Sequence, residues 1–431
     1  MTENSDWQSS LLPRIADEIG HVVGEFRDKR NTSITVVPAG NGGIDHMHSD
    51  GEILVREEYL PRVLQVLGRP SQDELEPDHL RRVIAGYVLL TLVEPHGTVA
   101  AALDLIDGRL GRHIATPNHV LTVAPGENSI CPATEPEPVY AGIEPFPAVV
   151  ADGGRGVLVY LADTGLLRDA GQHPWLAGVR CGDEQEDLDP KTPLTGSPAL
   201  IPPYSGHGTF VAGVLRSLAP DTEIIATNAF AVAGSELESD LVTRLETALG
   251  LGADIFHLSV ACASRHDLPL LAFGEWLRRL RDSKGTICIA AAGNSSTRRP
   301  SWPAAFGDVI AVGALGSDWR GRASFSNYGP WVDVYAPGRD LINAYATGAY
   351  DCYVQPYTGT KREFYGMAKW SGTSFATPIV SGLIAARMSR TGENARDAAA
   401  ALLAEARSQA IPGTGPVLLP RGGRQFAEGH S

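Results

Sequence analysis

Cysteine is scarce in this sequence, with five residues (Cys131, Cys181, Cys262, Cys288 and Cys352) in a chain of 431. None belongs to a Cys-x-x-Cys pair or a Cys/His cluster, so a structural zinc site is not expected. An odd number in a long chain fits free thiols better than a disulfide framework, with one or two bridges left open. Long apolar runs are also missing: nothing approaches the roughly 18 residues of a membrane-spanning helix, so no membrane partner is expected. There is no basic run, and the formal net charge of −14 speaks against a nucleic-acid partner. The acidity reads as a solvated surface. The opening residues, Met1 to Gln8 and then Leu11 to Ile15, lack a basic segment leading into an apolar one. The expectation is a cytoplasmic protein, with export by a non-standard route left open. No dense Asp/Asn loop suggests calcium, and neither a metal nor another cofactor is expected. Internal repeats and low-complexity tracts are absent as well.

What is present is ordinary globular composition, 43% hydrophobic and 20% charged, at a length that suggests two or three domains and a sizeable core. Residues 1–45 are polar and end in the loop-like Pro38–Gly43. Residues 46–125 alternate strand and helix patterns: Glu52–Arg56 extended, Leu60–Leu67 helical, Val83–Val93 extended, Thr98–Leu110 helical, His119–Val123 extended. Splitting the long central strand turns this into a βαββαβ, ferredoxin-like α+β domain. Residues 126–154 are too proline-rich for helix or central strand and read as a linker. From 155 to about 405 nearly unbroken apolar strands (Val157–Leu161, Glu223–Ala226, Asp254–Leu258, Thr286–Ala290, Val309–Val312) alternate with helical stretches. That is the pattern of a mainly parallel sheet covered on both faces, an α/β fold whose ligands bind at the C-terminal ends of the strands. Residues 406–431 form a tail.

Four polar positions stand at such strand ends or helix starts. Asp163 follows the strand Val157–Leu161, and alone would serve as well in a turn or cap. His207 lies between Gly206 and Gly208, which keep the backbone tight and the imidazole accessible ahead of an apolar helix. Ser374 follows Gly372-Thr373 at the start of a buried helix, where free N–H groups and the helix dipole favour negative charge; alone it reads equally as an N-cap. Asn294 ends Ala291-Ala-Gly-Asn294, as a turn residue or as an amide donor. The combination decides: a serine hydroxyl needs a base to take its proton, the base needs a carboxylate to hold its tautomer, and acyl transfer needs donors for an oxyanion.

These segments carry a resemblance. Ala162-Asp-Thr-Gly165, Gly206-His-Gly-Thr-Phe-Val-Ala-Gly213, Ala291-Ala-Gly-Asn294 and Gly372-Thr-Ser-Phe-Ala-Thr-Pro378, with Ala323–Gly329 and Val334–Gly338, resemble the subtilisin-like (S8, subtilase) serine peptidases over about residues 155–405. The order Asp, His, Ser is that of subtilisin. The resemblance implies a three-layer subtilisin-like fold and a serine endopeptidase acting on protein or peptide substrates through an acyl-enzyme. In it Asp163 orients His207, His207 is general base and acid, Ser374 attacks, and Asn294 binds the oxyanion with the Ser374 N–H. It further implies that Leu258, Ser259, Val260, Ala261 and Cys262 pair with an extended substrate by β-augmentation. Gly293, Trp302 and Pro303 would wall an uncharged pocket for the residue before the cut.

There are departures. Ala261 and Cys262 stand where two glycines are usual, which would narrow the pocket. Cys262 reads as a small buried filler rather than a reactive thiol. His257 replaces a usual Asn and reads as a buried, satisfied histidine. The stretch between Ala344 and Trp370 is longer than in compact relatives, and its alternating aromatics suggest an extra hairpin near Ser374. Thr116–Pro125 resembles the end of a propeptide, which makes the N-terminal domain either a chaperone and inhibitor acting in cis, with a first cut in the linker, or a permanent partner-binding domain. The competing reading for the whole is a catalytically silent or latent subtilase-fold module. An esterase is disfavoured, because no Gly-x-Ser-x-Gly elbow surrounds Ser374.

Overall fold

The structure, a computed structural model, describes residues 13–40, 43–92, 98–123, 133–140, 142–182, 199–283, 285–353 and 357–420. Cys131 and the first part of the expected linker lie outside the described residues. Among those described, no helix is long and apolar enough to cross a membrane.

The N-terminal unit begins earlier than polarity alone suggested. Helix α1 (Pro13–Arg30) and strand β1 (Ile34–Pro38) occupy the segment expected to be merely polar. Ile19, Val22 and Phe26 are fully buried. Their spacing of three and four residues puts them on one helical face, a narrow apolar stripe outnumbered by the charges around it. Next along the chain come β2 (Ile44–Arg56), α2 (Leu60–Val66), β3 (Leu80–Ile84), β4 (Tyr87–Thr91), α3 (Val99–Leu110) and β5 (Ala115–Thr122). The single long strand expected over Val83–Val93 is two antiparallel strands, turned at Gly86, whose φ of 83° suits glycine. The order β5-β2-β4-β3, antiparallel throughout, is the ferredoxin-like arrangement, with β1 added along the first half of β2. One face of this sheet packs on α2 and α3 through Ile53, Val55, Val88, Leu90, Leu103 and Ile106.

The second unit is an α/β sandwich. Its strands are β7 (Leu158–Asp163), β8 (Arg180–Cys181), β9 (Glu223–Asn228), β11 (Ile255–Leu258), β12 (Ile287–Ala291), β13 (Val309–Leu315) and β14 (Val334–Pro337). They run in the order β14-β13-β12-β11-β7-β9-β8, every neighbouring pair parallel. Side chains alternate across the sheet, and both faces are apolar. Val159 and Leu161 join the core with α4 (His207–Leu218), α7 (Thr373–Thr391) and α8 (Ala395–Ser408). Tyr160 and Ala162 join the core with α5 (Glu238–Ala248) and α6 (Leu271–Asp282). That is why these strands read as unbroken apolar runs. Helices α4 and α7 cross closely at Gly382, where a Cβ would lie 2.9 Å from the Leu215 carbonyl oxygen. The described part of the tail packs against the sheet: Val417 and Leu418 are buried and the Tyr335 backbone bonds to Pro416 and Leu418.

The expected hairpin exists as β15 (Leu341–Asp351) and β16 (Lys361–Trp370), with the short strand β6 (Glu137–Pro138) on its outer edge. The two units share strands as well. Strand β10 (Ser235–Leu237), just ahead of α5, extends the N-terminal sheet by pairing with β5.

Candidate active site

Asp163 is the last residue of β7 and His207 the first of α4, so both stand at the C-terminal rim of the parallel sheet. Both are fully buried, and His207 Nδ1 lies 2.7 Å from Asp163 Oδ1. The same carboxylate oxygen accepts from the Thr164 N–H at 2.8 Å, which fixes its orientation. This closeness depends on glycine. A Cβ on Gly208 would sit 2.3 Å from the Gly165 carbonyl oxygen, and Gly206 turns the chain at φ 78°. The imidazole is held in an aromatic cage, with ring centroids 5.3 Å from Phe375 and 5.7 Å from Trp370.

Ser374 is in the first turn of α7, next to Phe375, whose ring packs on His207. Ser374 Oγ, His207 Nε2 and Asn294 Nδ2 are buried atoms without a hydrogen-bond partner among the described residues. An unpartnered buried polar atom costs stability, so three of them gathered at one rim mark a place reserved for something else to bind. The Asn294 amide is oriented without ambiguity. Its Oδ1 accepts from Thr373 N (2.9 Å) and Thr373 Oγ (3.0 Å), and since a backbone N–H can only donate, Nδ2 is the free donor. Asn327 supports this corner: it accepts from Ser295 N at 2.9 Å and donates to the Ala292 carbonyl at 2.8 Å. Asn327 lies in the Ala323–Gly329 segment that carries the resemblance, but its role was not legible there, because it bridges to a loop more than thirty residues away.

A hydrogen-bond chain runs beneath the serine. Ser259 Oγ donates to the Ser374 carbonyl at 2.9 Å, so it accepts from His257 Nε2 at 3.0 Å, and His257 Nδ1 in turn accepts from Ser381 Oγ at 2.9 Å. Both ring nitrogens are satisfied, and burial lowers the His257 pKa to about 4, so it stays neutral. The satisfied-histidine reading of His257 agrees with this geometry.

The expected substrate wall divides. Leu258, Val260 and Cys262 turn their side chains into the core, leaving backbone for pairing. Ala261 exchanges two backbone bonds with Thr122 of the N-terminal unit, at 3.1 and 2.9 Å, and Val123 N donates to the Gly234 carbonyl at 2.8 Å. Cys262 pairs with Trp302 and its thiol is pushed well above the ordinary value by burial, which fits a filler. Gly293, at φ 98°, faces Asn327, and Trp302 packs edge-on against Phe306 at 4.6 Å beside Pro303. Charged side chains lie near this wall. A cavity of about 60 Å³ beside Ala261 and Cys262 is also lined by Arg299, which bonds Asp45 of the N-terminal unit (2.9 Å) and Asp267. Arg299 was missed because it lies on a loop between recognisable segments.

Comparison with known proteins supplies the family. The model of the subtilase family matches residues 154–415, more than half of the chain. The chain is 34% identical over 221 residues to the thermophilic serine proteinase of Bacillus sp. (strain AK1), an alignment covering 49% of each. It is 29% identical over 273 residues to thermitase of Thermoactinomyces vulgaris, covering 61% of this chain and 84% of thermitase. It thus spans about half the length of the first relative and most of the second. Among solved structures, fervidolysin from Fervidobacterium pennivorans shares the fold, with a TM-score of 0.54 at 17% identity over 88% of this chain and 61% of that one. The chain belongs to the subtilase family of serine peptidases.

Proposed function

We propose that this chain is a serine endopeptidase whose nucleophile is Ser374, and that the uncut chain is its latent form. The observation that carries the reading is the Asp163–His207 bond of 2.7 Å beside three buried, unpartnered atoms: His207 Nε2, Ser374 Oγ and Asn294 Nδ2. In the reaction Ser374 Oγ attacks the scissile carbonyl while its proton passes to His207 Nε2, and Asp163 stabilises the imidazolium through Nδ1–H. The tetrahedral oxyanion accepts from Asn294 Nδ2–H and the Ser374 N–H at the start of α7. Collapse expels the amine, protonated by His207, and leaves an acyl-enzyme. Water, deprotonated by His207, then releases the acid and restores Ser374. The residue before the cut is uncharged in this reading, since Gly293, Ala261, Cys262, Trp302 and Pro303 lack ionised groups and Arg299 is already ion-paired.

Latency is supported by the strand in the cleft. Thr122 and Val123 lie between Ala261 and Gly234 as an extended peptide substrate would, joined by backbone bonds on both sides. The N-terminal unit then acts in cis as inhibitor and folding partner until the chain is cut beyond it. A fluorophosphonate probe tests the catalytic part: it labels the cut wild type and leaves Ser374→Ala unlabelled. N-terminal mapping tests latency: a new terminus between residues 126 and 150 appears in wild type and not in Ser374→Ala. Equal labelling of the two proteins would remove Ser374 as nucleophile.

A further inference from the structure

Apart from Trp370, which packs on His207, the β15–β16 hairpin has no role in the chemistry above, yet it ends just ahead of the nucleophile. Trp370 closes β16 shortly before Ser374, and its indole stands edge-on to the His207 ring. The segment Thr134–Pro138 lies along this hairpin, with Glu137 opposite Lys369 and Pro138 opposite Ala368 in an antiparallel pairing. The side chains that bond it from the hairpin are donors. Trp370 Nε1 donates to the Thr134 carbonyl at 2.7 Å, and Arg362 to the Pro136 carbonyl at 2.7 Å. Glu135, 5% exposed, accepts from Tyr353 N at 2.6 Å and Tyr350 Oη at 3.2 Å. The Lys369 ammonium is 2.7 Å from the Glu137 carboxylate.

The segment is the chemical complement of that wall. Thr134-Glu-Pro-Glu-Pro138 carries two carboxylates, and its two prolines have no N–H. Trp370 assigns the side. Its indole touches both the Thr134 carbonyl and the ring of His207, the group that protonates the departing amine, so the hairpin stands on the leaving-group side of the reactive centre.

We propose that the β15–β16 hairpin is the half of the substrate cleft that holds residues after the cut, and that it selects an extended, acidic, proline-rich segment. Thr134–Pro138 is its resident occupant, displaced by a substrate of the same character. The word substrate rests on the peptidase reading; the binding does not.

The test uses the full chain with Ser374→Ala, so that turnover plays no part, and with Glu135→Gln and Glu137→Gln to loosen the resident segment. A fluorescein-labelled peptide Ala-Thr-Glu-Pro-Glu-Pro is compared by anisotropy with the same peptide carrying Gln at both Glu positions. The expected result is about tenfold tighter binding of the acidic peptide, as charge-assisted bonds give. That preference disappears on adding Arg362→Glu with Lys369→Glu, and falls with Tyr350→Phe, which removes one donor and keeps the ring. Equal binding of the two peptides, or a preference unchanged in both hairpin variants, overturns the proposal. Melting curves check folding, and if the charge reversal does not fold, Tyr350→Phe decides alone. Failure of Ser374 to react with the probe would instead strike the catalytic reading and leave this binding intact.

Discussion

The two large sheets of this protein bury different kinds of surface. The central strands of the parallel sheet are apolar on both sides, and the buried His257 on β11 has both nitrogens bonded. The N-terminal sheet meets the α/β unit through apolar residues such as Met47, Val120 and Val123, which share a core with it, and through a polar set absent from the parallel sheet's centre: His46, His48, Asn118, His119 and Thr122, all buried. Some are well matched: Asn118 donates to Glu52 and Ser239 at 3.0 Å each, His119 Nε2 accepts from Arg265 N at 3.1 Å, and Arg30 forms a two-pronged pair with Glu236. Others are costly. His119 Nδ1 and Glu238 Oε2 face each other at 3.6 Å, each without a hydrogen-bond partner among the described residues. Half-satisfied buried groups weaken a contact that a fully apolar one would hold, which fits the proposed release of the N-terminal unit.

Three experiments would break or sharpen that contrast. The largest effect belongs to the tightly packed side. In Gly208→Ala the new Cβ meets the Gly165 carbonyl, a backbone atom that cannot step aside without moving Asp163. Probe labelling of Ser374 is expected to slow by about 100-fold or more, the scale of an ångström-sized misplacement. A rate within tenfold of wild type would show that the rim tolerates looser packing than described.

The next effect belongs to the docked sheet and depends on pH. Burial lowers His48 to about 4 and His119 to about 3, and lowers His46 as well. A histidine depressed on docking favours the docked state fully above its free value near 6.5 and loses that contribution as pH falls toward the docked value. The surrounding charges are Asp45 and Arg299 at His46, Asp50 and Arg265 at His48, and Glu238 and Arg265 at His119. Glu238, raised by burial to about 7, and Glu236, also raised by burial, act in the opposite sense. At pH 5 His48 and His119 each weaken docking by about 30-fold, His46 adds in the same direction, and Glu238 and Glu236 offset part of this, so a net loss of docking is expected. Hydrogen exchange of β5 in Ser374→Ala, compared between pH 7.5 and 5, reads this loss. Protection that rises on acidification would show that the carboxyls dominate.

The smallest effect compares two helix caps. Thr98 Oγ accepts from Ala101 N at 3.3 Å in the N-terminal unit, and Asn394 Oδ1 accepts from Asp397 N at 3.0 Å in the α/β unit. Thr98→Ala and Asn394→Ala each cost about 1 kcal/mol. In urea the first is expected to shift only the transition of the N-terminal unit and the second only that of the other. One shared transition moved equally by both would mean that the interface binds the units into a single cooperative body.

Much of this was legible beforehand, for identifiable reasons. The parallel sheet could be read because each inner strand is apolar on both faces and each helix between them is long enough to show its period. Asp163, His207, Asn294 and Ser374 stood out because each is polar where an apolar element ends, with glycine close by. Helix α1 was hidden because its apolar stripe is narrow, and the β3–β4 turn because Ala85-Gly86 interrupts an otherwise continuous apolar run. The side-chain directions of Leu258, Val260 and Cys262 were not legible, since an irregular extended segment does not announce which face it buries.

The sequence by itself determined the fold class, the four polar rim positions and the existence of a hairpin before Ser374, because local pattern and backbone-permissive glycines are properties of neighbouring residues. Only the tertiary structure decided which atoms near Ser374 are left unpartnered, that Arg299 lines the cavity beside Ala261, that Thr122 pairs with Ala261, and that Thr134–Pro138 lies along the β15–β16 hairpin. Those facts rest on hydrogen bonds between residues tens to hundreds of positions apart, and such bonds leave no periodic trace in the chain that forms them.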